Sequence, residues 1–184
     1  MLWLWIVIAI VVVVLLLLVW GYNRLVRLRQ EVNTGWANID VQLQRRTDLI
    51  PNLVEIVRGY ASHERETFDE VTRARSALQQ AGSPAAAAIA DAGLTAALGR
   101  LFAVAEAYPD LKASQNFLDL QEELTDTEDK ISAARRYYNA TVMRFNTATQ
   151  TFPWLLVAGT FGFRAREFFS AEGDIAPPEV SFAT

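Results

Sequence analysis

The chain has 184 residues, a formal net charge of −4 and no cysteine. Disulfides, thiolate metal sites and cysteine nucleophiles are therefore excluded. An acidic chain with no basic stripe beyond one membrane-type flank is also a poor nucleic-acid binder, so none is expected as a partner. Two of its seventeen basic residues are lysine and the rest arginine. That bias suits ion pairs between packed helices, because the guanidinium fork matches a carboxylate.

Leu2 to Trp20 form an unbroken apolar run in which Leu, Ile and Val fill fifteen of nineteen places. As a helix it spans about 28 Å, close to the hydrocarbon core of a bilayer. Each aliphatic side chain near its centre favours insertion by roughly 0.3–0.6 kcal/mol. Trp3 and Trp5 at one end and Trp20 at the other occupy places where indole rings prefer headgroup level. A cleaved signal peptide would have a basic start, a shorter apolar stretch and a small-residue cleavage site. Here no Lys or Arg precedes the run, and it ends in Val19-Trp20-Gly21-Tyr22. A buried core helix would need a much larger domain around it. The expectation is a transmembrane anchor over 1–21 marked by Leu2, Trp3, Trp5 and Trp20, a helical domain over 22–170, and an extended tail over 171–184. Arg24, Arg27 and Arg29 follow the run. The positive-inside rule then leaves the N-terminus outside and the rest in the cytoplasm, and the three arginines lie near anionic headgroups.

Beyond the anchor the apolar spacing is helical. Leu25, Leu28, Val32, Trp36, Ile39 and Leu43 recur at steps of three and four, and Ile50, Leu53, Val54, Val57 and Tyr60 resume the stripe. One helix is expected from the membrane to about Arg46 or beyond, with Pro51 kinking or restarting it and Asp48 as a cap of the restarted segment. His63 to Gln80 reads as a further helix, Gly82-Ser83-Pro84 as a turn and helix start, and Pro84 to Ala107 as an Ala-rich helix weakened by Gly93 and Gly99. Small residues there would allow a neighbouring helix close.

Tyr108-Pro109-Asp110 breaks the chain. Phe117, Leu120, Leu124, Thr127, Ile131, Ala134, Tyr138, Thr141, Phe145 and Ala148 then alternate steps of three and four, a heptad seam. One helix from Leu111 to Gln150 would be about 60 Å long. Such a helix must lie along another long one, so Trp36, Ile39 and Leu43 are the expected seam partners. Phe152-Pro153 ends it, Gly159 and Gly162 argue for a bend, and Arg164 to Ala171 reads as one more turn or two. The fold class is thus all-α: a transmembrane helix continuing into an elongated antiparallel helical bundle.

Chemistry is sparse. His63-Glu64 lacks the second His of a metalloprotease motif, since position 67 is Thr67, and His63 is the chain's one histidine. Asp119, Glu122, Glu123, Asp126, Glu128 and Asp129 lack the glycine and alternate oxygens of a calcium loop. They read as the solvated face of a helix, or as an acidic surface for a partner. Asp40, Arg45, Arg46 and Asp48 read as an ion-pair cluster between helices. No catalytic, cofactor-binding or metal-binding residue is expected, and no cofactor. Phe152 to Phe163, with Phe168 and Phe169, has two readings. It covers the bundle end, or it makes an oligomer or membrane contact through Trp154, Phe161 and Phe163.

The stretch from Trp36-Ala37-Asn38-Ile39-Asp40 to Ile50-Pro51-Asn52-Leu53-Val54, with Gly59-Tyr60-Ala61 and His63-Glu64, resembles the LemA family. So do Tyr108-Pro109-Asp110-Leu111-Lys112-Ala113, Asn116-Phe117, Leu120-Gln121-Glu122-Glu123-Leu124, Thr127-Glu128, Ala134-Arg135, Tyr138-Asn139, Phe145-Asn146, and Phe152-Pro153 paired with Gly162-Phe163. The segment from Ala81 to Ala107 departs from that pattern. The resemblance implies a bacterial inner-membrane protein with one N-terminal span and a cytoplasmic helical bundle, and no established enzymatic activity. Some members are linked to membrane-shaping systems and others accompany membrane proteases. The expected function is a non-enzymatic, membrane-anchored scaffold that self-associates and organises or remodels membrane lipid. The alternative is an adaptor for a partner membrane protein such as a protease.

Overall fold

Two stripes on the first helix decide the architecture. Leu25, Val32, Ile39, Arg46 and Leu53 recur every seven residues and are buried, as are Leu43, Ile50 and Val57. In the computed structural model, which describes residues 2–170, those stripes belong to one helix, α1 (Leu2–Tyr60). It is followed by α2 (Arg65–Gln79), α3 (Pro84–Glu106), α4 (Pro109–Lys112), α5 (Gln115–Gln150) and α6 (Trp154–Thr160), with no strand among the described residues. The expected tail over 171–184 lies outside the described residues.

At 59 residues α1 is about 90 Å long. Its apolar window at the N-terminus is wholly exposed, whereas a third of the apolar window of α3 is buried in the bundle. The partner of α1 is α5, in antiparallel register. Leu25 clusters with Ala148, Gly35 meets Tyr138 and Thr141, and Arg46 pairs with Glu128. Phe117, Leu124, Ile131, Tyr138 and Phe145 are all buried, while Leu120 and Trp36 are half-buried at the edge of the seam. The helices pack tightly at Gly35, where a Cβ would stand 3.3 Å from the Tyr138 Cα. Gly93 and Gly99 have nothing within 4 Å of a built Cβ, and the small residues that α3 buries are instead Ala87, Ala88, Ala97 and Ala105.

The α2–α3 hairpin covers the half of this pair distal to the apolar run and makes it a four-helix bundle. Ser83 caps α3 by accepting from the Ala86 amide, with Pro84 in the first turn. Glu70 on α2 pairs with Arg100 on α3. Phe102 meets Phe117, and Leu111 on α4 closes the base of the core.

Three sequence expectations are corrected. Pro51 does not restart α1, and Asp48 caps nothing: both lie inside a continuous helix. Proline removes the amide that would bond the carbonyl four residues earlier, that of Thr47. Arg75 on α2 supplies the missing donor, its Nε standing 2.9 Å from that oxygen. The helix expected from Leu111 begins instead at Gln115, because Ser114 adopts an extended conformation. Leu111 keeps the apolar phase of the seam, which hid the break. Arg164 to Ser170 form no helical turn. The backbone there is held extended, for a reason given below, and Ala171 lies outside the described residues.

Candidate functional site

The end of the bundle proximal to the apolar run is built from the last residues of that run, the last turns of α5 and the chain that follows. Trp154 opens α6 and packs on α1 where Gly21 leaves a notch. A Cβ at Gly21 would stand 2.5 Å from Trp154 ring carbons, so a glycine is needed for this docking. Trp20 and Trp154 have ring centroids 4.7 Å apart. Val157 and Ala158 then bury against Leu25 and Ala148.

The end of α6 is fixed by a glycine. Gly162 has φ +71°, and the Phe163 amide reaches back to the Ala158 carbonyl at 3.0 Å. This six-to-one bond after a left-handed residue is a Schellman cap. It delivers Phe163 into an aromatic junction with Phe145 and Tyr22, at centroid distances of 6.4 and 5.8 Å. Tyr22 also meets Phe161 at 5.0 Å. The arginine flank joins in: Arg24 lies 5.7 Å from the Trp20 ring and Arg29 5.3 Å from the Phe163 ring.

Residues 164–170 then run down the face of α1 and α5, held by two asparagines one heptad apart. Asn146 accepts from the Arg166 amide and donates to the Arg166 carbonyl, at 2.8 and 2.9 Å. Asn139 does the same with Phe169, at 2.9 and 3.0 Å. A side-chain amide offers one acceptor and two donors, so each asparagine satisfies both polar groups of one extended residue. Tyr138 adds a bond to the Glu167 carbonyl at 2.8 Å, and Phe169 is buried beside Trp36. The strap is extended because its backbone partners are side chains, which is why helical periodicity fails there. Helical periodicity does not mark Asn139 and Asn146 for this role. Their signal was the repeat Tyr138-Asn139 and Phe145-Asn146, each asparagine following a seam aromatic.

The sequence-selected contact residues divide accordingly. Trp154 and Phe163 are half-buried and hold α6 to the bundle, while Phe161 is exposed. Phe152, Leu155 and Leu156 are also exposed, at 77%, 51% and 61%. Of the residues expected to mark the anchor, Leu2, Trp3 and Trp5 are exposed on the free part of α1, and Trp20 is exposed where it meets Trp154.

A second unusual locus lies in the distal half. Arg46 occupies a seam position and is 2% exposed. Its Nη1 is 2.5 Å from Asp91 Oδ1, its Nη2 2.9 Å from Thr95 Oγ1 and 3.6 Å from Glu128 Oε2. Asp40, Arg45 and Asp48 do not join it. Asp40 is exposed, and of the expected four-residue ion cluster only Arg46 enters this buried pairing. Burial pushes the Asp91 carboxyl above its ordinary value, against the opposing pull of Arg46. The open cavity of about 270 Å³ beside Trp36, Asp40, Gln44 and Thr47 does not reach this cluster. His63 is exposed in the turn before α2. Among the described residues no group of three or more His, Cys, Asp and Glu side chains is placed to hold a metal.

A family model described as LemA family matches residues 35–182. This chain belongs to the LemA family. It is similar to magnetosome protein MamQ of Magnetospirillum gryphiswaldense, at 29% identity over 178 residues, covering 83% of this chain and 65% of that protein. It is similar to magnetosome protein MamQ 2 of Paramagnetospirillum magneticum, at 28% identity over the same shares of the two chains. It is also similar to protein LemA of Metamycoplasma hominis, at 31% identity over 134 residues, 71% of this chain and 60% of that protein. The chain thus spans less than two thirds of the length of these relatives. The LemA-family match begins at Gly35 and takes in both strap asparagines, α6 and Gly162.

Proposed function

We propose that this LemA-family chain is a non-enzymatic structural protein, anchored in a bacterial inner membrane, that self-associates and organises or bends the bilayer around it. The observation that carries this reading is the continuity of α1. One helix runs from the apolar segment through Gly21 into the bundle core without a break. A tilt imposed on the bundle by a neighbouring copy is then passed to the span rather than lost in a flexible linker. Arg24, Arg27 and Arg29 favour the bundle side as cytoplasmic. The family's links to membrane-shaping systems point the same way.

The test is the full-length chain reconstituted in lipid vesicles, with particle mass and vesicle shape measured together. Assemblies heavier than a single 20.6 kDa chain, with vesicles clustered, tubulated or narrowed, are expected. Strictly monomeric protein in unchanged vesicles would contradict it. The adaptor reading draws on the acidic face of α5, where Asp119, Glu122, Asp126 and Asp129 are exposed together with Leu118. Reversing those four acids and losing a crosslinked membrane partner would favour it.

A further inference from the structure

We infer that α6 is a second membrane contact, an apolar wedge lying in the headgroup region of the bundle-side leaflet, with anionic lipid as its surroundings. The inference rests on the anchor reading of residues 2–20 and adds a site that the anchor does not imply.

Depth comes first. The partners of α6 on α1 are Trp20, Gly21, Tyr22 and Leu25. Those residues span about 8 Å of axial rise, starting at the last residue of the apolar run. If the run fills the hydrocarbon core, α6 is held at the headgroup boundary beside it. Amphipathic segments of this kind bury roughly 5–10 Å into that boundary.

Exposure comes second. Leu155 and Leu156 are neighbours on α6, Phe152 stands in the turn just before it, and Phe161 follows on the capping turn. None of the four is covered, although Phe161 touches Tyr22. Large apolar side chains left bare on a folded surface mark an interaction site. Here the patch continues the exposed surface of the anchor, so in a bilayer its neighbours are lipid.

Charge comes third. Residues 21–29 and 144–166 hold six arginines and no acid, in a chain whose net charge is −4. Arg29 lies over the Phe163 ring of the aromatic junction and Arg24 over the Trp20 ring beside it, and Arg24, Arg27, Arg29 and Arg164 are all exposed. Arg144 and Arg166 lie further from the membrane, near Glu31 and Asn33. Each basic group near an anionic surface strengthens binding to it.

Rigidity comes last. A loose apolar loop would fold into any available crevice. This one is seated by Trp154 in the Gly21 notch, capped by Gly162, and tied down beyond by Asn146 and Asn139. The wedge is therefore presented at one depth and on one side of the anchor. An element that occupies area in one leaflet only is a source of curvature, which gives the proposed membrane bending a physical agent.

The test exploits the absence of native cysteine. Single-cysteine variants Val12→Cys, Leu118→Cys and Leu156→Cys of the full-length chain are spin-labelled in vesicles of phosphatidylcholine with phosphatidylglycerol. Collision with oxygen reports lipid, and collision with a water-soluble nickel chelate reports water. The expected result is deep lipid at position 12, water at 118, and a shallow lipid position at 156. Water at 156 with deep lipid at 12 would overturn the wedge and leave the anchor standing. Water at 12 would remove the anchor and the wedge with it. Shielding of position 156 from both probes would mean that protein covers α6, and would overturn the lipid assignment in favour of a second copy. Gly21→Leu combined with Leu156→Cys should move position 156 away from its shallow lipid depth. An unchanged depth would overturn the role given to the notch.

Discussion

The two ends of the bundle are built on different principles. The distal half packs four helices around Leu, Val and Ala, with a buried Arg46–Asp91 pair among them and an acidic outer face. The proximal half has two long helices, an aromatic junction, a peptide strap and an arginine-rich surface at its membrane end. Stability is concentrated where the apolar core is thick, and the membrane-facing surface is presented where it is thin. Variants at the two ends should therefore separate. Distal ones should lower stability with membrane contact intact, and those on α6 and at its Gly21 seat should disturb membrane contact at small cost in stability.

The largest effect is expected at the buried pair. Asp91→Ala leaves a charged guanidinium in the core with Glu128 as its remaining ion-pair partner, at 3.6 Å. Breaking such a pair from one side costs about 3–5 kcal/mol. Adding Arg46→Met should recover most of that loss, measured as denaturation midpoints in mild detergent. Additive losses in the double variant would mean that the pair is not the cause.

Gly35→Leu should come next. Its side chain must enter a contact already tight to the Tyr138 backbone, and overpacking of this kind costs about 1–3 kcal/mol. Unchanged thermal stability would show that α1 and α5 separate easily at that level, against the idea of a rigid seam.

Arg75→Ala should cost about 2 kcal/mol, since it deprives the Thr47 carbonyl of a charged donor. Pro51→Ala returns a backbone amide to that carbonyl. With Pro51→Ala already in place, the loss from Arg75→Ala should shrink, and a double-mutant cycle measures the difference. Equal losses in both backgrounds would sever the link between Pro51 and Arg75.

Asn139→Ala with Asn146→Ala should change global stability by about 1–2 kcal/mol while speeding amide exchange over 164–170. Slow exchange there in the double variant would show that Phe169 and Tyr138 hold the strap without them.

The smallest effect is the pH dependence of Asp91. Its folded pKa is raised above 3.8, chiefly by burial, so the native state binds this proton more tightly than the unfolded chain does. Its contribution to stability is then present below that value and lost as pH rises through the raised pKa. Compared with Asp91→Asn, the natural chain should lose stability over that window, read from denaturation midpoints against pH. A gain over the same window would reverse the sign assigned to burial.

Much of this was legible in the residues. The apolar run, the helix out of it and the seam from Phe117 to Phe145 follow from spacing alone, because long amphipathic helices repeat their signal many times. The rest depended on partners distant in sequence. Pro51 looks like a break until Arg75, on another helix, is placed at the freed Thr47 carbonyl. Gly21 looks like a weak point in a helix until Trp154 occupies it. Arg164 to Ser170 carry no strand pattern, since their hydrogen bonds go to side chains on α5 rather than to another backbone. Of the residues chosen for contact, Phe161 stays on the exposed patch. Trp154 and Phe163 hold α6 in place, and Leu155 and Leu156 beside it carry more of the bare surface.

The central claim is that span and bundle move as one body through α1. Amide hydrogen exchange on the full-length chain in vesicles tests it most directly, read residue by residue from Trp20 to Trp36. Uniformly slow exchange through Gly21 and across Arg24, Arg27 and Arg29 is the expected result. A fast-exchanging stretch between Gly21 and Arg29, flanked by protection on both sides, would reveal a hinge and contradict it.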